Sequence, residues 1–232
     1  MSEGQRGQSP SAFITGGSGF IGGRLVRRLV AEGARVRALA RSESSAAAVA
    51  ELGAEPVRGD LSDPAAMAVG AEGCDVTFHL AAHLGQWGTR EEFVRGNVTG
   101  TENALEASRR AGVRRFVHCG TEAGLLVGDP LVDADETLPL RPDSKVLYSA
   151  TKAQAELAVR DANAPGFETV VLRPRLVWGE GDTTLLPEFV EAASSLCDRH
   201  PRPVDSEWSG PSVVNKDGER LNGFDPQPWE TP

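Results

Sequence analysis

The sequence predicts an α/β fold, a doubly wound parallel sheet, over most of its 232 residues. Three observations predict it. A short apolar run, Ala12-Phe13-Ile14-Thr15, leads into Gly16-Gly17-Ser18-Gly19-Phe20-Ile21-Gly22 and then into apolar residues at helical spacing. Beyond that, apolar strands alternate with helical stretches as far as Arg173. A 40% apolar content in a chain of this length suffices for one such core.

Taken in order, the strands are expected at 12–15, 35–40, 55–57, 75–80, 115–119 and 168–173, and the helices at 20–32, 45–52, 64–69, 91–111 and 146–162. The first helix carries Leu25, Val26, Leu29 and Val30 on one face and ends at Gly33, a C-cap. The glycine run between it and the first strand reads Gly-x-x-Gly-x-x-Gly from Gly16, and Gly-x-Gly-x-x-Gly from Gly17. Its first glycines permit a tight turn and close approach to a pyrophosphate, and its last lets the helix pack on the strand. Free N–H groups at the helix start then face the phosphates. Gly16, Gly19, Phe20, Ile21 and Gly22 are therefore candidate cofactor-binding residues. Asp63-Pro64 supplies an N-cap with proline at the first helical position. Such alternation implies right-handed crossovers and a ligand crevice at the carboxyl ends of the strands.

Tyr148 is the chain's one tyrosine, and Lys152 follows it by four residues. Lysine occurs only at 145, 152 and 216 among 24 basic residues, so its use here points to a task arginine does not perform: a compact ammonium on a flexible stem. On a helix the two side chains share a face. An ammonium there would favour phenolate; bringing a tyrosine from ~10 to about 7 takes roughly 4 kcal/mol. That would make Tyr148 a proton shuttle for carbonyl/alcohol interconversion. A surface helix with an incidental Tyr/Lys contact is the plainer alternative.

The end of the second strand, Ala40-Arg41-Ser42, lacks the acidic residue that would bind a ribose 2′-hydroxyl. Arg41 suits a 2′-phosphate, with Ser42 adding a hydroxyl, so NADP(H) is expected over NAD(H), with NAD still possible. A solvated loop charge is the alternative for Arg41. His79 and His83 fall on a strand and the turn after it with no third ligand evident, so no metal site is expected. The net charge of −9 argues against a nucleic-acid partner. No run approaches ~20 apolar residues and no signal-peptide core is evident, so neither a membrane span nor secretion is expected, and a cytoplasmic location is. Three widely spaced cysteines, Cys74, Cys119 and Cys197, fit reduced thiols.

With these residues in place the chain resembles the extended short-chain dehydrogenases/reductases, the NAD-dependent epimerase/dehydratase family. The resemblance covers roughly 11 to 195. It rests on Thr15 to Gly22, Gly59-Asp60-Leu61, His79-Leu80-Ala81-Ala82, Asn97-Val98-Thr99-Gly100-Thr101, the Tyr148/Lys152 pair, Leu172-Arg173-Pro174 and Trp178-Gly179. It implies a Rossmann fold in which Asp60 and Leu61 contact the adenine, Leu80 and Ala81 line the ribose side, and Asn97 supports the site through its amide. In Gly120-Thr121-Glu122-Ala123, Thr121 stands where the family has its third catalytic group, giving Thr121, Tyr148 and Lys152 as the catalytic set. For Thr121 a threonine ending a strand, for Asp60 a turn aspartate, and for Asn97 an ordinary helix-face asparagine remain as alternatives.

The resemblance implies an NAD(P)-dependent oxidoreductase or epimerase that moves hydride between nicotinamide and a hydroxyl- or keto-bearing carbon of a small molecule. The Gly-Thr-Glu-Ala variant leans toward the hydroxysteroid and ketone branch rather than the nucleotide sugars. Family members are often dimers, so a homodimer is a further expectation. The expected organisation is a flexible N-terminus at 1–11, the cofactor domain at 12–199 and an irregular tail at 200–232 holding six of the 15 prolines. The family's substrate-binding subdomain is thus expected to be largely missing, and a cofactor-binding protein with little turnover is the alternative function.

Overall fold

The computed structural model describes residues 10–84, 88–126 and 135–182, together with 187, 189–191, 213–214 and 220–221. The chain divides into two units, Met1–Thr183 and Thr184–Pro232. The expected boundary at 199/200 thus falls inside the second unit. Expectations for residues 1–9, for Cys197 and for most of the tail lie outside the described residues.

The first unit is built on a six-stranded parallel sheet in the order β3-β2-β1-β4-β5-β6. Its strands are β1 Ser11–Thr15, β2 Arg35–Ala40, β3 Glu55–Arg58, β4 Val76–His79, β5 Arg115–Cys119 and β6 Glu168–Leu172. The helices between them are α1 Phe20–Ala31, α2 Glu43–Glu51, α3 Pro64–Ala71, α4 Arg90–Phe93, α5 Gly100–Arg110 and α6 Leu147–Asp161. The strand order reverses between β1 and β4, which puts the topological switch point beside the glycine turn.

Adjacent residues of β1 face opposite sides of the sheet, and each seeds one core layer. Phe13 packs with Met67, Leu105, Phe116, Val159 and Phe167. Ile14 packs with Val26, Val36, Ala38 and Val49 on the other side. All five β1 residues are buried. A strand covered on both faces reads as a continuous apolar run, which is how β1 reads.

Local signals set the helix starts. The Asp63 carboxylate accepts from Ala66 N–H at 2.9 Å, with Pro64 following, as the sequence predicts. Helix α2 begins two residues before its expected start because Ser42 and Ser45 form a reciprocal capping box. The single helix expected at 91–111 is interrupted: a π-helical segment, Val94–Thr99, separates α4 from α5. Its Asn97 is buried, with Oδ1 accepting from His83 N–H at 2.6 Å and Nδ2 donating to His83 O at 3.2 Å and Thr151 Oγ1 at 3.1 Å.

In the second unit, β7 Val213–Val214 and β8 Arg220–Leu221 pair antiparallel. The stretch expected to be irregular therefore contains a short ladder, whose two-residue strands are too brief to leave a period-2 signal.

Candidate active site

The cleft of the first unit, about 690 Å³, lies at the carboxyl ends of β1 to β4. Gly16 and Gly19 line it from the turn after β1, Arg41 from the end of β2, Asp60 and Leu61 from the end of β3, and Leu80 and Ala81 from the end of β4. These seven expected cofactor residues come together. Phe20, Ile21 and Gly22 belong to the first turn of α1 and do not line the cleft, and neither do Thr121, Tyr148 and Lys152.

The turn is shaped for close approach. Gly16 has φ +76°, and a β-carbon there would meet Ala81 N at 2.6 Å. At Gly22 a β-carbon would collide with the Gly16 carbonyl oxygen. Helix α1 therefore packs directly on the turn with its N-terminus toward the cleft, a cradle that fits a pyrophosphate.

Asp60 makes a tight turn, with Oδ1 accepting from Ser62 N–H at 2.7 Å and Ser62 Oγ–H at 2.5 Å. Those bonds hold its carboxyl below the usual range, with Arg41 and Arg95 adding to the effect. Leu61 is fixed through its carbonyl, which accepts from Asn103 Nδ2 at 2.8 Å. Arg41 is exposed and forms no ion pair among the described residues. Ser42, expected to offer its hydroxyl to a ligand, instead uses it to cap α2.

Beyond the cleft, Thr121 stands two residues after β5 and caps the 3-10 turn Glu122–Leu125, its Oγ1 accepting from Ala123 N–H at 3.2 Å. Tyr148 and Lys152 lie on one face of α6, as their spacing requires. The Thr121 side chain lies close enough to Tyr148 to act on its phenol, so these two expected catalytic groups are neighbours. Lys152, 4% exposed, instead donates to the Cys119 carbonyl at 2.7 Å and lies 3.3 Å from His118 Nε2.

The expectation that the ammonium lowers the phenol is corrected here. Burial raises the Tyr148 phenol above its ordinary value, opposed by the Thr121 hydrogen bond; Cys119 raises it further. The reason is geometric: the ammonium is directed at the end of β5. Lys152 is itself pushed down to about 8 by burial, with Cys119 and Glu156 acting to raise it.

His79 and His118 are fully buried neighbours in register on β4 and β5, their rings stacked with centroids 5.4 Å apart. Burial, then Lys152, pushes His79 down to about 3. Burial likewise holds His118 well below the ordinary histidine value. Sequence reasoning missed His118. Its place two residues after Phe116 marks it as core-facing, the one signal available, but a strand pattern does not reveal what a buried imidazole touches.

This is the architecture of the extended short-chain dehydrogenases/reductases. The chain belongs to the 3-beta hydroxysteroid dehydrogenase/isomerase family, whose model matches residues 13–200. It is 50% identical over 180 residues to 4-hydroxy-2-methyl-3-oxo-4-farnesyl-3,4-dihydroquinoline-1-oxide ketoreductase of Stigmatella aurantiaca, covering 78% of this chain and 54% of that protein. It is 40% identical over 184 residues to 2-alkyl-3-oxoalkanoate reductase of Stenotrophomonas maltophilia (strain K279a), covering 78% and 55%. Among solved structures it is similar to DesIV, a dTDP-glucose 4,6-dehydratase of Streptomyces venezuelae, in a double mutant with NAD bound. That match has 28% identity and a TM-score of 0.68, over 79% of this chain and 62% of the other. The chain spans about half the length of the curated relatives it matches. No helix among the described residues is long and apolar enough to cross a membrane.

Proposed function

We propose that the protein is an NADP(H)-dependent reductase or dehydrogenase acting on a ketone or secondary alcohol of a small, largely apolar molecule. The observation that carries this reading is the glycine cradle formed by the β1 turn at the mouth of the cleft, with Thr121 and Tyr148 as neighbours beyond the end of β5. Ketoreductases at 50% and 40% identity support the ketone class.

The cofactor supplies the hydride when bound. Gly16, Gly19 and the first N–H groups of α1, at Phe20 and Ile21, would hold its pyrophosphate, and Gly22 lets that helix come close enough. Asp60 and Leu61 would contact the adenine, and Leu80 and Ala81 would line the ribose side. Arg41, exposed at the cleft and without an ion pair among the described residues, is free to take a 2′-phosphate. Thr121 orients the substrate oxygen, and Tyr148 donates its hydroxyl proton to that oxygen in reduction or recovers it in oxidation. A phenol kept protonated by burial is ready for the reductive direction. Lys152 would hold the nicotinamide ribose through its ammonium.

NADPH oxidation in the presence of 2-alkyl-3-oxoalkanoates and hydroxysteroid-type ketones tests the reading. Tyr148→Phe is expected to lower turnover by about 10²- to 10⁴-fold with NADPH binding retained. Equal rates in wild type and variant would refute the assignment of Tyr148. A second reading, cofactor binding with little turnover, is favoured by the absence of Thr121, Tyr148 and Lys152 from the cleft lining. NADPH binding without oxidation by any ketone would select it.

A further inference from the structure

Lys152 is a buried cation that forms no ion pair among the described residues. Glu156, one turn further along α6, is committed elsewhere: Arg173 Nη2 and Nε donate to Glu156 Oε1 at 2.6 and 3.0 Å, and Nε also reaches Oε2 at 3.1 Å. What Lys152 has is the Cys119 carbonyl and the His118 ring.

The hydrogen-bond pattern fixes where the protons sit on the two stacked histidines. Thr101 donates its hydroxyl hydrogen to the Asn97 carbonyl at 2.6 Å, so its oxygen must accept from His79 Nε2, 3.0 Å away. His79 therefore carries its proton on Nε2, and its Nδ1 accepts from Thr15 Oγ1 at 2.7 Å. His118 is the opposite tautomer. An ammonium offers only hydrogens, so His118 Nε2 must be bare and the proton must lie on Nδ1. That Nδ1 is buried and finds no partner among the described residues. A histidine kept only to fill space would pair its N–H, as His79 does. Here one nitrogen is left unsatisfied and the other faces the lysine.

We propose that His118 is a positioning residue for Lys152: its bare Nε2, with the Cys119 carbonyl, holds the ammonium at the end of β5 and stabilises its charge where no carboxylate pairs with it. The titratable and charged groups around the ammonium are His118 and Cys119 on β5, His79 on β4, Tyr148 and Glu156 on α6, and Arg173 after β6. Burial depresses Lys152, which makes its charge sensitive to the loss of any acceptor. The catalytic consequence rests on the proposed role of Lys152 in hydride transfer, whereas the geometry does not.

With lysine at three positions only, ¹³C labelling of the lysine side chains gives three resolvable titrations, and the one missing in Lys152→Arg identifies Lys152. In the wild-type protein without cofactor it is expected to titrate at about 8. In His118→Phe, which keeps an aromatic ring but loses the acceptor, the midpoint is expected to fall by about one pH unit, the worth of a hydrogen bond to the charged form. In His118→Gln, whose amide oxygen can accept, it is expected to stay near the wild-type value. ¹⁵N shifts of the wild-type histidines provide a reading without any variant, and should show His118 protonated on Nδ1 and His79 on Nε2. An unchanged Lys152 midpoint in His118→Phe, or a proton on His118 Nε2, overturns the proposal. Neither result depends on NADPH, so a failure of the enzymatic reading would be seen separately in the turnover assay.

Discussion

At the residue scale, the two members of the pair expected to act together have different neighbours: Lys152 donates to the Cys119 carbonyl, and Tyr148 lies near Thr121. The sequence shows that Tyr148 and Lys152 share a helix face, but not that a carbonyl at the end of β5 lies within reach of the longer side chain. The Cys119 carbonyl takes the ammonium at 2.7 Å and the phenol lies near Thr121, so the shared helix face was legible and the pKa direction was not. The buried ammonium has a thermodynamic consequence. Lys152 titrates at about 8 in the folded chain against an ordinary 10.5. The unfolded chain therefore holds the extra proton between those values, and the stability contributed through this group rises as pH climbs from 8 to 10.5 and is lost as pH falls through 8. The shift corresponds to roughly 3 kcal/mol at neutral pH, and removing the amine recovers only part of it because the Cys119 carbonyl and His118 Nε2 lose their donor. Lys152→Met is thus expected to stabilise the fold by about 1–2 kcal/mol at pH 7, with the gain shrinking toward pH 10. Urea midpoints at the two pH values check this, and a variant less stable than wild type at pH 7 would contradict it.

At the element scale, the strand, glycine turn and helix were readable because each has a local cause. Period-2 and period-3.6 apolar patterns located all six strands of the sheet and the helices α1, α2, α3 and α6, while cap chemistry shifted their ends by a residue or two. The π-helical segment was not readable, since an extra residue in a helical turn leaves the apolar pattern almost unchanged. It matters here because it turns Asn97 toward both His83, on the cleft wall, and Thr151, next to Lys152 on α6. The cradle makes a sharper prediction. Gly22→Ala forces a β-carbon onto the Gly16 carbonyl, so the helix must back away from the turn. A loss of about 1–3 kcal/mol in stability is expected, together with weakened cofactor binding. Chemical denaturation of the variant measures the first, and a stability equal to wild type would show the contact to be soft.

For the whole molecule, the sheet has one side that is poorly closed. Among the described residues β6 pairs only with β5, and Val170 and Leu172 on it are 41% and 57% exposed. Leu176, Val177 and Trp178 just beyond it are exposed as well. A strand edge with apolar neighbours in this state is a template for association. Light scattering is expected to show self-association that grows with concentration and is reduced in Leu172→Lys. A wild-type protein that stays monomeric at every concentration would remove this expectation. The family and fold follow from the first 182 residues, where strand and helix alternate, whereas the composition of 200–232 carries no pattern from which a structure can be argued. Calorimetric titration of NADPH and NADH into wild type and Arg41→Ala tests whether the crevice at the switch point of this sheet takes NADP(H), as proposed. Saturable one-to-one binding, tighter for NADPH, with about a tenfold or larger loss of NADPH affinity in Arg41→Ala and little change for NADH, is the predicted result. Tighter binding of NADH, or no binding of either dinucleotide, would contradict it.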